Sequence, residues 1–367
     1  MIRYQVRICD DTGATQAVPR DYQSCRYVLR MDGEIGVCEM VLPRRKYEDM
    51  LRSSNPDWRI QIWRSVNGLT YTLDGDMEYF ILDWDTTDDT IKVTAPSLQH
   101  LLTRRINAFY AGYQDIPSGT GAIYSGPVTT IMYQVVLANF ASVNPERDVL
   151  AFSYYPPGFE INGPLGTGPS LNIQCSRENV FDIITKMAEA SFTQGRWAVG
   201  LVRSNGSTWR FDAQLDFAGI DRRQTLVLSP ELSNVQNAVL SENAINQKSA
   251  VIAAGRGTGK ARSLNVQTST PRINSSIIGY NETFVEDTNA RDNQIINLAR
   301  AEMRKRRTIT EFSCDLTQSP STVRGVHYDV GDYLRVSYIG RIFDMRLDVV
   351  EVTLTGTTGV ERARLTQ

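Results

Sequence analysis

Apolar residues recur at every second position through most of residues 1–95, in short runs separated by turn-forming clusters, which predicts a series of short strands. In residues 58–63, Trp58, Ile60 and Ile62 share one face and Arg59 and Gln61 the other, the pattern of a half-buried strand. Asn67-Gly68 supplies residues that tolerate positive φ at a tight hairpin, and alternation resumes over 69–73. Residues 77–84, an Asp-rich turn at 85–89 and residues 91–95 form a second expected hairpin. The region reads as a β-meander of barrel or sandwich type.

The period then changes. After Pro96-Ser97, Leu98, Leu101, Leu102 and Ile106 fall at helical spacing, with Arg104 and Arg105 near the C-terminal end where cations are favoured. Gly, Pro, Ser and Tyr crowd residues 110–127 and mark a boundary. Residues 128–140 carry a wide apolar stripe and predict a second helix. Residues 144–170, with five prolines, read as a long irregular excursion of the kind that often serves contact. A third helix is expected from Ser176 as N-cap, through Val180, Phe181, Ile184, Met187 and Ala188. A hairpin over 197–215 follows, turning at 204–207. Strands return over 225–255, where residues 250–254 suit a central strand. Residues 288–307 give the longest helix, with a basic end at Arg300 and 304–307, and strands over 309–316, 332–339, 341–354 and 359–366 complete the chain.

The expected fold class is therefore mainly β with an α+β insertion and two β-barrel domains per chain: residues 1–106, a first barrel with a closing helix; 107–218, the insertion; and 219–367, a second barrel with one long helix. The length of 367 residues agrees with more than one core. Lys and Arg number 39 against 41 Asp and Glu, so no long-range field exists to hold DNA or an anionic membrane. A conduit for sliding DNA remains compatible with that balance. No stretch approaches the roughly 20 apolar residues of a membrane span.

Candidate chemistry changes the picture little. Gly255-Arg256-Gly257-Thr258-Gly259-Lys260 resembles a phosphate loop, but the required Gly and Ser/Thr positions are Ala254 and Ala261, so a strand-to-loop transition is favoured. His100 and His327 are the only histidines, which excludes metalloprotease spacing, and no nucleophile elbow is present. Asp83, Asp85, Asp88 and Asp89 lack the turn Gly and closing Glu of a calcium loop and fit a solvated hairpin tip. The five cysteines show no ligand or redox spacing and read as small buried side chains. No catalytic, metal or cofactor-binding residue is assigned. Tyr110, Tyr113, Tyr124, Tyr133, Tyr154, Tyr155 and Phe159 interleave with polar residues; this set suits a neighbouring subunit, a carbohydrate or local packing. Of these, Tyr110, Tyr113, Tyr124, Tyr154, Tyr155 and Phe159 are the candidate subunit-interface residues.

Several segments in order resemble the tail-hub and baseplate-hub proteins of bacteriophages, including the N-terminal part of tail-associated lysins. IKVTAPSLQHLLTRRI (91–106) is similar to the family's strand and Leu-rich helix, and SRENVFDIITKMAEASFTQGRWAVGLV (176–202) to its inserted helix and hairpin. GIDRR (219–223), LSNVQNAVL (232–240) and AVIAAGRGTGKAR (250–262) resemble the return into barrel strands, and YDVGDYLRVSY (328–338) the Gly-Asp strand entry near the family's C-terminus. The resemblance implies a structural, non-enzymatic hub without cofactor, at the virion tail tip after assembly in the host cytoplasm. Its implied partners are itself, as a homotrimer, a distal tail or tail tube protein above, and a central fibre, spike or tape measure protein. Genomic DNA would pass without specific binding. With the sequence ending at Gln367, the appended catalytic domain of the lysin-bearing members is not expected here. The alternatives are a tail-associated cell-wall hydrolase and a receptor-binding tail adhesin.

Overall fold

The computed structural model describes residues 2–54, 57–107, 109–110, 114–115, 122–140, 159–161, 166–175, 177–193, 198–206, 208–215, 219–287, 292–319 and 322–367. Its largest feature is a ten-stranded sheet. Neighbour to neighbour it runs Val235–Asn243, Ile309–Leu316, Thr358–Thr366, Arg341–Thr355, Ser24–Arg30, Val37–Pro43, Thr90–Pro96 and Asp83–Thr86, with Tyr333–Tyr338 and Val227–Leu228 branching from Arg341–Thr355. The fifteen-residue strand Arg341–Thr355 makes this possible. A register shift between Leu347 and Val349 lets it pair with Tyr333–Tyr338 at one end and with Ser24–Arg30 at the other. Strands from the first hundred residues and the last fifty thus share one sheet.

A second, four-stranded sheet (Thr15–Ala17, Arg3–Cys9, Arg59–Ser65, Thr72–Phe80) faces the first. Alternation decides what lies between them. Tyr4, Val6, Ile8, Ile60 and Ile62 point inward from this sheet, and Cys25, Tyr27, Leu29, Cys38, Met40, Leu42, Val350 and Val352 from the large one, all in one buried cluster. The chain changes sheets between Phe80 and Asp83, so the run 77–84 is two strands rather than one. None of the sheets closes into a barrel by hydrogen bonding among the described residues; the fold is mainly β and multi-sheet.

Local expectations met several corrections. The strand-rich N-terminal region contains an α-helix, Arg44–Arg52, whose only buried side chains, Tyr47 and Leu51, are four residues apart; its charge-rich sequence hides so thin a stripe. Arg59–Ser65 is not half-buried: Arg59 and Gln61 are as enclosed as Ile60 and Ile62, because the insertion covers the second face. Asn67-Gly68 does turn the chain, with Asn67 Oδ1 accepting from the amides of Leu69 and Thr70, but the connection is longer than a two-residue hairpin. The Leu-rich segment is a 3₁₀ helix, Leu98–Arg104, burying Leu98, Leu101 and Leu102, while Ile106 is exposed.

In the insertion, helix Val128–Phe140 is buried on nearly every side. Helix Val180–Thr193 starts with Asn179, whose Oδ1 accepts from the Phe181 amide at 2.9 Å; Ser176, the expected cap, lies outside the described residues. The expected hairpin is present as Ala198–Ser204 and Trp209–Leu215. Further along, strand Ala250–Ala254 is central to a separate three-stranded sheet between Leu264–Thr268 and Glu282–Glu286. Helix Asp292–Lys305 covers one face through Ile295 and Ala299 on Val251 and Ala253. All five cysteines are buried and free, as their spacing suggested.

Candidate functional site: buried ionic joints between distant parts of the chain

Arg324 sits in the connection between Ile309–Leu316 and Tyr333–Tyr338 and is wholly enclosed, at 0% exposure. A guanidinium there requires carboxylates in fork geometry. Asp74, from Thr72–Phe80, accepts from its Nη1 and Nη2 at 3.0 and 2.8 Å; Glu361, from Thr358–Thr366, accepts from its Nε and Nη2 at 3.0 Å each. The Tyr27 hydroxyl donates to Asp74 and that of Tyr4 to Glu361. Arg64 then donates to the Tyr4 oxygen at 3.2 Å, to the Arg324 carbonyl at 2.5 Å and to Gln318 at 2.9 Å. Two cations and two carboxylates from both sheets and one long loop thereby balance inside the core. Burial pushes the Glu361 carboxyl up, but Arg324 and Arg64 more than reverse this and hold it below the usual carboxylate range. Tyr4 and Tyr27, desolvated and facing carboxylates, are driven far above the usual phenol range and stay protonated donors.

A second joint ties the insertion on. Glu78 is fully buried and lies 2.9 Å from Arg59 Nε. It also accepts from Gln61 (2.8 Å), Ser204 Oγ (2.8 Å) and Trp209 Nε1 (3.0 Å), while Arg59 stacks over the Trp209 ring. Ser204 and Trp209 belong to the inserted hairpin; Glu78, Arg59 and Gln61 to the four-stranded sheet.

A third joint unites two of the motifs that carried the family resemblance. Asp332 of YDVGDYLRVSY accepts from the Ile220 amide at 2.6 Å and from Arg222 Nε at 2.9 Å, and the amides of Arg222 and Tyr333 bond the carbonyls of Tyr333 and Ile220. Gly219 allows this approach: a Cβ there would lie 2.2 Å from Asp332 Oδ1.

The candidate interface aromatics fare unevenly. Tyr124 is buried and donates to Asn107 Oδ1 at 3.1 Å, and Phe159 is buried and stacks on Phe140, so both rings pack in this chain's own core. Tyr110 lies in the two-residue strand Phe109–Tyr110 opposite Gln114; Tyr113, Tyr154 and Tyr155 lie outside the described residues. The three described members, Tyr110, Tyr124 and Phe159, lie in three different strands. The glycine-rich 255–260 segment is a turn joining antiparallel strands, and its end runs into the three-residue 3₁₀ turn Gly259–Ala261 instead of a helix. His327 Nδ1 accepts from the Val323 amide, and His100 meets the Thr103 hydroxyl at 3.1 Å within its own helical turn. The Asp-rich tip joins Asp83–Thr86 to Thr90–Pro96 through Thr87 and Thr90. No group of three metal-ligating side chains gathers among the described residues, and no helix of the described residues is long and apolar enough to cross a membrane. At the basic helix end, Lys305 pairs with Glu189 at 2.8 Å and Arg306 with Glu302 at 2.7 Å.

Arg324, Asp74, Glu361, Arg59 and Glu78 were not singled out by sequence reasoning. For Arg59 and Glu78 the signal was a charged residue inside a strand-like run, at 58–63 and 77–81; Arg324 lies in a connection and carried none.

Mainly-β sheets interlocked by buried ion pairs make up a fold that is also that of phage tail proteins. The overall path matches three such proteins: the 43 kDa tail protein of prophage MuSo2 from Shewanella oneidensis (TM-score 0.62, 10% identity, 99% of this chain and 98% of that one), a tail protein from Neisseria meningitidis MC58 (0.57, 11%, 99% and 96%) and prophage tail protein gp18 from Listeria monocytogenes EGD-e (0.51, 12%, 99% and 94%). Residues 5–366 match the family described as Siphovirus ReqiPepy6 Gp37-like protein, and the chain belongs to that family. No curated protein matches it in sequence.

Proposed function

We propose that this chain is the hub of a siphovirus tail tip, a homotrimer joining the six-fold tail tube or distal tail ring to a three-fold central fibre or spike and lining the DNA passage. The observation that carries the reading is end-to-end agreement in fold with tail proteins, over 99% of this chain and 94–98% of each of theirs. The N-terminal strands with the facing four-stranded sheet form one barrel-like module, and the strands after residue 219 a second. Three copies then offer six modules to a six-fold tube while remaining three-fold below. The joints at Arg324, Glu78 and Asp332 suit this role because charge pairs with fixed forks hold modules in one orientation. The net charge of −2 favours passage of DNA over retention.

Mass photometry of the purified chain tests the proposal. A species of three times 41.2 kDa is expected, and a monomer at micromolar concentration overturns it. A zymogram on cell-wall substrate is expected to stay blank; clearing would favour the hydrolase reading.

A further inference from the structure

Open sheets carry edge strands whose free amides and carbonyls invite pairing, and folded proteins blunt them. Most edges here are blunted. Val235–Asn243 is bulged between Gln236 and Val239, with Asn237 at φ 49°. Asp83–Thr86 is four residues long with two aspartates, and Thr15–Ala17 and Phe159–Ile161 are three residues each. Ala198–Ser204 is covered by Gln99, which accepts from the Val202 amide and donates to the Gly200 carbonyl.

The three-stranded sheet is different. Both its outer strands, Leu264–Thr268 and Glu282–Glu286, are regular, and no strand among the described residues pairs with their outer edges. Val266, Ile252 and Phe284 stand directly opposite one another in a row on the face away from helix Asp292–Lys305. Leu264, Val266 and Phe284 are 61%, 51% and 54% exposed.

From this we infer that the Glu282–Glu286 edge of one copy pairs head-to-tail with the Leu264–Thr268 edge of the next. This rests on the trimeric reading above. Two features of the chain select a second copy as the occupant. Leu264–Thr268 runs antiparallel and Glu282–Glu286 parallel to the central strand, so edges brought together with the sheets in the same orientation run antiparallel to each other, the more stable arrangement. Placing Phe284 opposite the neighbour's Val266 continues the apolar row and keeps both helices on the same side. The charges do not oppose the pairing either: Glu282 and Glu286 flank Phe284 on one edge, the Leu264–Thr268 edge is uncharged, and Arg262 is already paired with Glu286 of its own chain. Because the two edges differ, the contact is heterologous and closes only as a ring.

The test is the double variant Val266→Cys/Phe284→Cys of the full chain, oxidised and run on a non-reducing gel beside mass photometry. Within one chain the two positions are two strand spacings apart, roughly 9.5 Å, beyond the reach of a disulfide. Across the proposed contact they are about 5 Å apart, and all five native cysteines are buried, which limits background. A covalent trimer is expected from the double variant, a dimer at most from a mixture of the two single variants, and no cross-link from either alone. Trimers without cross-links overturn the edge pairing and leave the hub reading standing. A cross-linked ladder beyond three keeps the pairing and overturns the three-membered ring. A cross-link from Val266→Cys alone signifies an isologous contact and overturns the head-to-tail pairing; a monomer overturns both readings.

Discussion

The residue with most depending on it is Arg324. Its guanidinium neutralises Asp74 and Glu361 where water cannot, so Arg324→Met leaves two buried carboxylates facing each other with only Arg64 nearby. A loss of about 3–5 kcal/mol is expected, measured by urea unfolding. Replacing Arg324, Asp74 and Glu361 together by apolar residues is expected to cost less than the single change, since the charges then vanish as a set. The pH dependence has a definite sign. The folded pKa of Glu361 is depressed below 4.5, so its stabilisation is complete above that value and is lost as pH falls through the folded pKa. Asp348 is raised, chiefly by burial, and acts in the opposite sense, favouring the folded state as pH falls. Subtracting the stability profile of Glu361→Gln from that of the natural chain isolates the first effect: the difference should shrink below pH 4.5.

At the scale of elements, the joints explain why certain loops hold fixed positions. The 219–223 segment lies against the entry to Tyr333–Tyr338 because Gly219 has no Cβ and the Asp332 carboxylate accepts from the Ile220 amide and the Arg222 guanidinium. Gly219→Ala places a methyl group on the Asp332 carboxylate and backbone; a loss of about 1–3 kcal/mol is expected in denaturant unfolding, with wild-type secondary structure by circular dichroism. Trp209 clamps the inserted hairpin to Glu78 and Arg59. Trp209→Leu removes both the indole donor and the cation–π face, and is expected to raise proteolytic cleavage within residues 198–215 before the sheets open.

For the whole molecule, the decisive fact is that Ser24–Arg30 pairs with Arg341–Thr355. A fragment of residues 219–367 lacks that neighbour as well as Asp74 and Arg64, so it should give no cooperative thermal transition, while the full chain should unfold with coincident fluorescence and circular dichroism. A fragment that folds with native-like strand content would show that the C-terminal strands form an autonomous unit.

Much of the element order was legible in the chain: the alternating strands of both ends, helix Val128–Phe140, the inserted hairpin, the central strand Ala250–Ala254 and the four strands after residue 308. Period and turn chemistry act locally and leave a local trace. Helix Arg44–Arg52 left too little trace, its buried stripe being two residues wide. The sequence also spoke against a phosphate loop and a calcium loop, since those need particular residues at fixed spacing. Only the tertiary structure decided which strands became neighbours, that Arg59 and Glu78 face inward, and that Arg324 meets carboxylates 250 and 37 residues away. A charge buried with its partner looks, residue by residue, like a charge exposed to water. The difference lies in what the rest of the fold places beside it.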